Sequence, residues 1–332
     1  MEKAVVMKNE ILKQLLLAHA EGDEGAFRKA ALQLASSESE AGHIRIAEEL
    51  RSIVAKLPSR RSTVVDIAAP RGELGDVLDG GYRQERLADI VLTDKAHALF
   101  ERVLQENRSR EKLERFGVAP RRKILFHGPP GCGKTLGAGV LAGEMGLPLM
   151  TVRLDALFSR FLGATATHLR AIFAEMPRRP GIYLFDEFDA VAKARGDSHD
   201  VGEMNRIVTA FLQLIDADRS NSIVIAATNH AELLDRAIFR RFDLIVPFAL
   251  PTSHQIEAML KLRLGAFDLP ASFMREVATT ARGMSFADVA RSTDDAIRSM
   301  ALAGRTRLDD VDVEEAFARA DHREARRRAK KR

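Results

Sequence analysis

Apolar positions along the chain follow two rhythms. Before residue 57 they recur at spacings of three and four: Ile11, Leu12, Leu15 and Leu16, then Phe27, Ala30, Ala31 and Leu34, then Ile46, Ala47, Leu50, Ile53 and Val54. That is the rhythm of helices with a single apolar stripe. Gly22-Asp23-Glu24-Gly25 and Gly42 separate the stripes. Each stripe needs covering, which predicts a small three-helix bundle over residues 1–57. Residues 58–84 hold Pro58, Pro70, Gly72, Gly75, Gly80 and Gly81, and are expected to form a linker. From residue 85 the rhythm changes. Short apolar runs at 124–126, 149–154, 182–185, 223–227 and 244–248 alternate with helical stretches at 96–115, 134–145, 165–176, 203–216 and 231–239. Runs this short and this apolar suit strands buried on both faces. The predicted fold class is therefore α/β, with a doubly wound parallel sheet over residues 85–250. After Pro251 the pattern is wholly helical, which predicts a helical lid over 251–318.

Charge refines this layout at one end. The chain of 332 residues has a net charge of +4, but residues 319–332 alone contain eight Lys or Arg against Asp321 and Glu324. The body is thus slightly acidic, and the excess sits in a basic tail expected to be solvated. There is no Trp, and only two Tyr, so stacking on nucleic acid is not an evident theme. The one cysteine, Cys132, excludes an internal disulfide. No apolar run reaches membrane-spanning length, and the first residues lack a signal-peptide pattern. The expectation is a soluble, cytoplasmic protein. The nine histidines stand singly, without metal-ligand spacing.

The strongest chemical signal is Gly128-Pro129-Pro130-Gly131-Cys132-Gly133-Lys134-Thr135, which fits G-x-x-x-x-G-K-[ST] between a predicted strand and a predicted helix. Glycines let backbone N–H groups turn inward around phosphate oxygens. The helix N-terminus adds a positive dipole end. Lys134 can reach the β- and γ-phosphates of ATP, and the Thr135 hydroxyl suits Mg²⁺. Cys132 sits where the backbone does the binding.

A second signal is the apolar run at 182–185 ending in Asp186-Glu187. Acids at the carboxyl end of a buried parallel strand lie where ligands bind in open α/β sheets. Asp186 is the candidate metal carboxylate, and Glu187 the candidate for polarising the attacking water. Asp189 reads as a helix cap or a surface residue.

With these motifs, residues 85–318 resemble the AAA family of P-loop ATPases. The resemblance implies further roles. Thr228-Asn229 after the run at 223–227 resembles the first sensor, in which Asn229 orients the lytic water. Leu234-Asp235-Arg236-Ala237-Ile238-Phe239-Arg240-Arg241-Phe242-Asp243 resembles the region whose arginines reach a neighbouring subunit's ATP. Such a finger contributes about 10³–10⁵ in rate. Here Arg240 and Arg241 are adjacent, unlike the commoner spacing, so the choice of finger stays open. Gly283-Met284-Ser285-Phe286-Ala287-Asp288-Val289 resembles the lid motif, placing Gly283 and Ala287 near adenine and ribose, and Asp89-Ile90 resembles the segment on the base's other side. Ser159-Arg160-Phe161-Leu162-Gly163 resembles the first pore loop, in which Phe161, Leu162 and Gly163 face the channel of a ring. Residues 195–206 would then form the second.

The opening helices together with residues 234–243 are similar to small bacterial AAA ATPases, a group often encoded beside a subtilisin-like serine protease in defence or plasmid-competition modules. The resemblance implies a hexameric ring that spends ATP on remodelling or threading a protein client, with any proteolysis belonging to the partner. A DNA-directed AAA ATPase and a nucleotide-switched partner-binding protein are the alternative readings; no membrane partner is expected.

Overall fold

The computed structural model describes residues 30–31, 33–35, 45–46, 48, 74–75, 77–154, 162–189, 201–265, 267 and 269–330; for 162–164, 201–206 and 321–330 it describes the backbone alone. The chain divides into two compact units, Met1–Thr63 and Val64–Arg332. In the first, Ala30, Ala31 and Ala35 are helical and buried. The rest of the expected three-helix bundle lies outside the described residues.

The second unit is built on a six-stranded sheet of order β1-β3-β4-β5-β2-β6. Its strands are β1 (Leu78–Tyr82), β2 (Lys123–His127), β3 (Pro148–Val152), β4 (Ile182–Phe185), β5 (Ile223–Thr228) and β6 (Leu244–Pro247). All pairs are parallel except β1 with β3, in register from Leu78 opposite Val152 to Tyr82 opposite Pro148. β1 corrects the expected linker, whose last residues form an antiparallel edge strand.

Alternation along the strands feeds two apolar layers. Ile182 and Leu184 of β4 join Ile223, Ile225 and Ala227 of β5 on one face. There they meet helices α1 (Asp94–Arg108) and α3 (Lys134–Met145), through Phe100, Val103, Val140 and Leu141. Tyr183 and Phe185, with Val224 and Ala226, point to the other face, where α4 (Leu162–Glu175) and α5 (Val201–Ala217) supply Ile172, Phe173, Phe211 and Ile215. Both faces of these strands are buried, which is why their sequences are continuously apolar. Phe173, Phe185, Phe188 and Phe211 add a contiguous aromatic cluster.

Three helical expectations are adjusted. The stretch at 96–115 breaks at Ser109 into α1 and α2 (Arg110–Arg115). The stretch at 231–239 is a single 3₁₀ turn, Ala231–Leu233, followed by the four-residue α6 (Arg236–Phe239). The segment expected as a lid comprises α7 (Ser253–Leu264), α8 (Ala271–Thr280), α9 (Phe286–Leu302) and α10 (Asp310–Lys330), packed around Leu260, Val277, Val289, Ala296 and Phe317. Thr252 starts α7 with a capping box closed by Gln255, and the Ser285 hydroxyl caps α9. α10 carries the helix through residues 319–330, so the basic segment continues the last of these helices. Its Ala- and Arg-rich composition favours helix, and cations suit a helix C-terminus.

Tyr183 offers a pH test of this packing. It is buried, its hydroxyl donates to the Arg179 carbonyl at 3.0 Å, and burial, followed by the nearby Glu175 carboxylate, pushes its phenol up to about 12. An unfolded tyrosine titrates near about 10. Between those values the folded chain keeps a proton that the unfolded chain has lost, so this contribution is complete below about pH 10 and is lost as pH rises towards 12. Urea melts should therefore show wild-type stability falling more steeply across that window than that of Tyr183→Phe. At pH 8 the variant should be about 1 kcal/mol less stable, because the Arg179 carbonyl loses its donor.

Candidate nucleotide site

The sheet register brings three chain segments to one edge. His127 lies opposite Thr228, and Phe185 opposite Ala226, so β2, β5 and β4 end together. Two backbone bonds extend the register into the loops: Gly128 N–H donates to the Thr228 carbonyl at 3.2 Å, and Phe188 N–H to that of Ala227 at 2.8 Å. From β2 the chain passes through α3 to β3, on the far side of β5 and β4. That reversal is a topological switch point, the place where open α/β sheets bind ligands.

The loop 128–135 opens here. Gly128 has φ of +142°, and a Cβ on it would lie 1.7 Å from the Phe248 carbonyl oxygen, so no other residue fits. Lys134 is buried, and its ammonium donates to the carbonyls of Gly128 at 2.7 Å and Pro129 at 2.9 Å. Burial lowers its pKa, a shift opposed by Cys132, Asp186 and Asp189. Cys132 is also buried, which pushes its thiol up and leaves it a poor nucleophile. The loop surrounds the N-terminus of α3 and thus has the form of an anion cradle.

Beyond β4, Asp186 Oδ2 accepts a 2.6 Å bond from the Thr135 hydroxyl, and Asp186 Oδ1 accepts from Glu187 N–H at 2.8 Å. A hydroxyl oxygen and a carboxylate side by side are a donor set that suits a hard cation such as Mg²⁺. Glu187 has φ of +51°, the one positive value outside glycine among the described residues. Asp189, expected as a helix cap or a surface residue, is not at the surface; the residues that follow it, on which the cap reading falls, lie outside the described residues. It is 3% exposed, and its Oδ1 accepts from the Thr228 hydroxyl at 3.3 Å and from Asn229 N–H at 3.1 Å.

These groups line a cavity of about 500 Å³. Its walls include Asp89, Ile90, Pro130, Gly131, Cys132, Gly133, Lys134, Thr135, Asp186, Glu187, Asn229 and Ala287, joining both nucleotide motifs to the C-terminal helices. Gly283, expected beside the base, is not among them; with φ of +92° it turns the chain ahead of α9. Gly128 and Pro129 also stay out of the wall and act through Lys134. Val91, Leu136, Met259, Leu262, Arg263, Phe286 and Ala290 complete it. Arg263, held by the Thr293 hydroxyl at 2.9 Å and by Asp294, was not foreseen, because nothing local marks one arginine of these helices as facing the core.

The candidate arginines lie off the cavity. Arg241 pairs with Asp216 at 2.7 Å, whereas Arg240 is exposed and has no ion pair among the described residues. Leu162 and Gly163 begin α4, while Phe161 and residues 195–200, the first half of the expected second pore loop, lie outside the described residues; its second half, 201–206, opens α5.

The Glu187 backbone gives a test separable from binding. A left-handed conformation costs an L-residue about 1–2 kcal/mol, partly offset on substitution by the extra unfolded-state entropy of glycine. Glu187→Gly should raise stability in urea melts by about 0.5–1 kcal/mol while removing ATP turnover. A loss of stability would mean that the side chain holds the turn.

The model for the "ATPase family associated with various cellular activities (AAA)" matches residues 124–250. The chain is 35% identical over 327 residues, 97% of either chain, to the "uncharacterized AAA family ATPase y4kL" of Sinorhizobium fredii. It is 31% identical over 260 residues to the "ATP-dependent zinc metalloprotease FTSH 7, chloroplastic" of Arabidopsis thaliana, covering 75% of this chain and 32% of that one. With "ATP-dependent zinc metalloprotease FtsH 3" of Sphaerobacter thermophilus the identity is 31% over 268 residues, 78% of this chain and 52% of the other. The chain thus spans between a third and about half of the length of these metalloproteases. A full-length relative, and a family match running from β2 just past β6 over the loop and strand ends described above, place this chain in the AAA family of ATPases, enzymes that hydrolyse ATP.

Proposed function

We propose that this ATPase works as a ring, remodelling or threading a protein client with hydrolysis at subunit boundaries. The observation that carries the reading is the cavity in which residues 130–135, Asp186, Glu187, Asn229 and residues of the C-terminal helices meet, while Arg240 stands outside it, exposed. In this reading ATP lies between sheet and lid. Gly131, Gly133 and Lys134 hold the phosphates; Thr135 and Asp186 hold Mg²⁺, which supplies charge neutralisation on the β- and γ-phosphate oxygens. Glu187 polarises water and Asn229 orients it. Asp89, Ile90 and Ala287 bound the base and ribose.

Arg240 is the arginine presented to the neighbouring subunit. Arg241 holds α6 against α5 through Asp216, which leaves its guanidinium committed within its own subunit. Phe161, with Leu162 and Gly163, contacts the client in the channel of a hexamer. The protein substrates implied by the metalloprotease relatives support a protein client. Zinc proteolysis is not carried over, since no two of the nine histidines lie within one helical turn of each other. Proteolysis belongs to a partner, which we take to be a subtilisin-like serine protease.

Complementation tests the shared site. Lys134→Ala and Arg240→Ala should each lower ATP turnover by at least about 100-fold. Mixed, they should recover activity, because some boundaries then combine an intact loop with an intact Arg240. Arg241→Ala should be milder. Failure of the mixture to recover would remove the boundary mechanism. For the client, Glu187→Gln should retain ATP and trap what the ring engages. Proteins that co-purify with it, and that are lost on adding Phe161→Ala, support the protein reading. Nuclease-sensitive nucleic acid retained regardless of Phe161 would replace it with a DNA-directed one.

A further inference from the structure

Asp189 is a buried carboxylate without a place in the cavity wall. Burying a charge is unfavourable unless hydrogen bonds replace its water, so a carboxylate in this position is there for what it holds. Asp189 Oδ1 receives the Thr228 hydroxyl at 3.3 Å and the Asn229 backbone N–H at 3.1 Å. The Thr228 hydroxyl, wholly buried, in turn accepts from His230 N–H at 3.0 Å. One residue earlier, Phe188 N–H bonds the Ala227 carbonyl at 2.8 Å. The three residues that follow Ala227 on the chain are therefore tied, directly or through Thr228, to the segment that leaves β4. That segment reaches Asp189 by way of the left-handed turn at Glu187.

We propose that Asp189 is a positioning residue for ATP hydrolysis: it locks the Asn229 backbone to the β4 terminus and so sets the separation between Asn229 and Glu187. This rests on the reading of those two residues as the pair that handles the attacking water. Asp189 is not among the residues that line the cavity. It acts through Asn229, whose side chain does face the cavity.

A double-mutant cycle on the full-length assembled protein decides the matter, with kcat, KM and melting temperature measured for each variant. Asp189→Ala should lower kcat by about 10–100-fold, the scale of a small misplacement of a catalytic group, with KM changed by less than about threefold. Asp189→Asn retains an acceptor oxygen and should restore most of kcat. Combined with Asn229→Ala, Asp189→Ala should add little, since both act at one group. Additive losses would overturn the proposal, as would an unchanged kcat in folded Asp189→Ala. A rise in KM of equal size in Asp189→Asn and Asp189→Ala would also overturn it, placing the role in the charge felt by Lys134. Should Asp189→Ala not fold, Thr228→Val removes one of the two bonds at similar volume, and the same cycle applies: coupling with Asn229→Ala supports the proposal and additivity overturns it. The two readings separate at Asn229. An unchanged kcat in Asn229→Ala sinks the sensor assignment and this proposal with it. An impaired Asn229→Ala without coupling sinks this proposal alone.

Discussion

A buried ammonium must be surrounded by acceptors, and the architecture of the nucleotide site follows from that requirement at Lys134. Its partners are carbonyls of its own loop, Gly128 and Pro129, so the loop is folded around the charge. That arrangement demands a backbone turn at Gly128 which no side chain permits, because the Phe248 carbonyl occupies the space. Phe248 in turn continues β6, and its ring packs against Phe126 and Phe100 beneath the sheet. The phosphate loop is thereby seated on the hydrophobic layer. Burial lowers the Lys134 pKa, and Cys132, Asp186 and Asp189 oppose that shift in part.

The same economy appears at the carboxyl ends of the strands. Strand interiors offer only apolar side chains and satisfied backbone, so all reactive chemistry is pushed to the loops that follow them. Three loops arrive at one edge because β2, β4 and β5 are neighbours in register. The edge carries strain as well as chemistry. Glu187 adopts a conformation that an L-residue resists, and the bonds from Asp186 and Phe188 on either side hold it there. Backbone strain over-determined by its surroundings is characteristic of positions where a side chain must be aimed.

Much of this was legible in the sequence, and most of the exceptions share a cause. The loop 128–135 and the acids after β4 stand out because their chemistry is local, residue type and strand boundary coinciding, whereas Asn229 after β5 was marked only by the family resemblance. Strand β1 did not stand out, since Leu78-Asp79-Gly80-Gly81-Tyr82 reads as loop and becomes a strand only through pairing with residues 148–152. The burial of Asp189, against the surface reading, depends on partners that lie forty residues along the chain. The difference between Arg240 and Arg241 depends on Asp216, likewise distant. The basic segment was read by its charge, whereas the helix of α10 runs through it. Long-range contacts account for β1, Asp189 and the two arginines, whereas the helix through the basic segment follows from its local Ala- and Arg-rich composition, which the charge pattern overshadowed. The three-helix bundle and Phe161 are expectations that fall outside the described residues.

The C-terminal helices show how a phosphate loop can be joined to something larger than itself. Ala287 N–H, in the first turn of α9, donates to the Gly131 carbonyl at 3.0 Å. The Ser285 hydroxyl that caps this helix sits so close to Gly131 that a Cβ there would lie 2.6 Å from it. Gly131 therefore belongs to the cavity wall and to the packing against α9 at once. Helix α9 is itself capped by Ser285 and packed through Val289 and Ala296 into the core of the C-terminal helices. One hydrogen bond and one missing side chain thus join the loop 128–135 to a layer of four helices, at the same residue that lines the candidate nucleotide site.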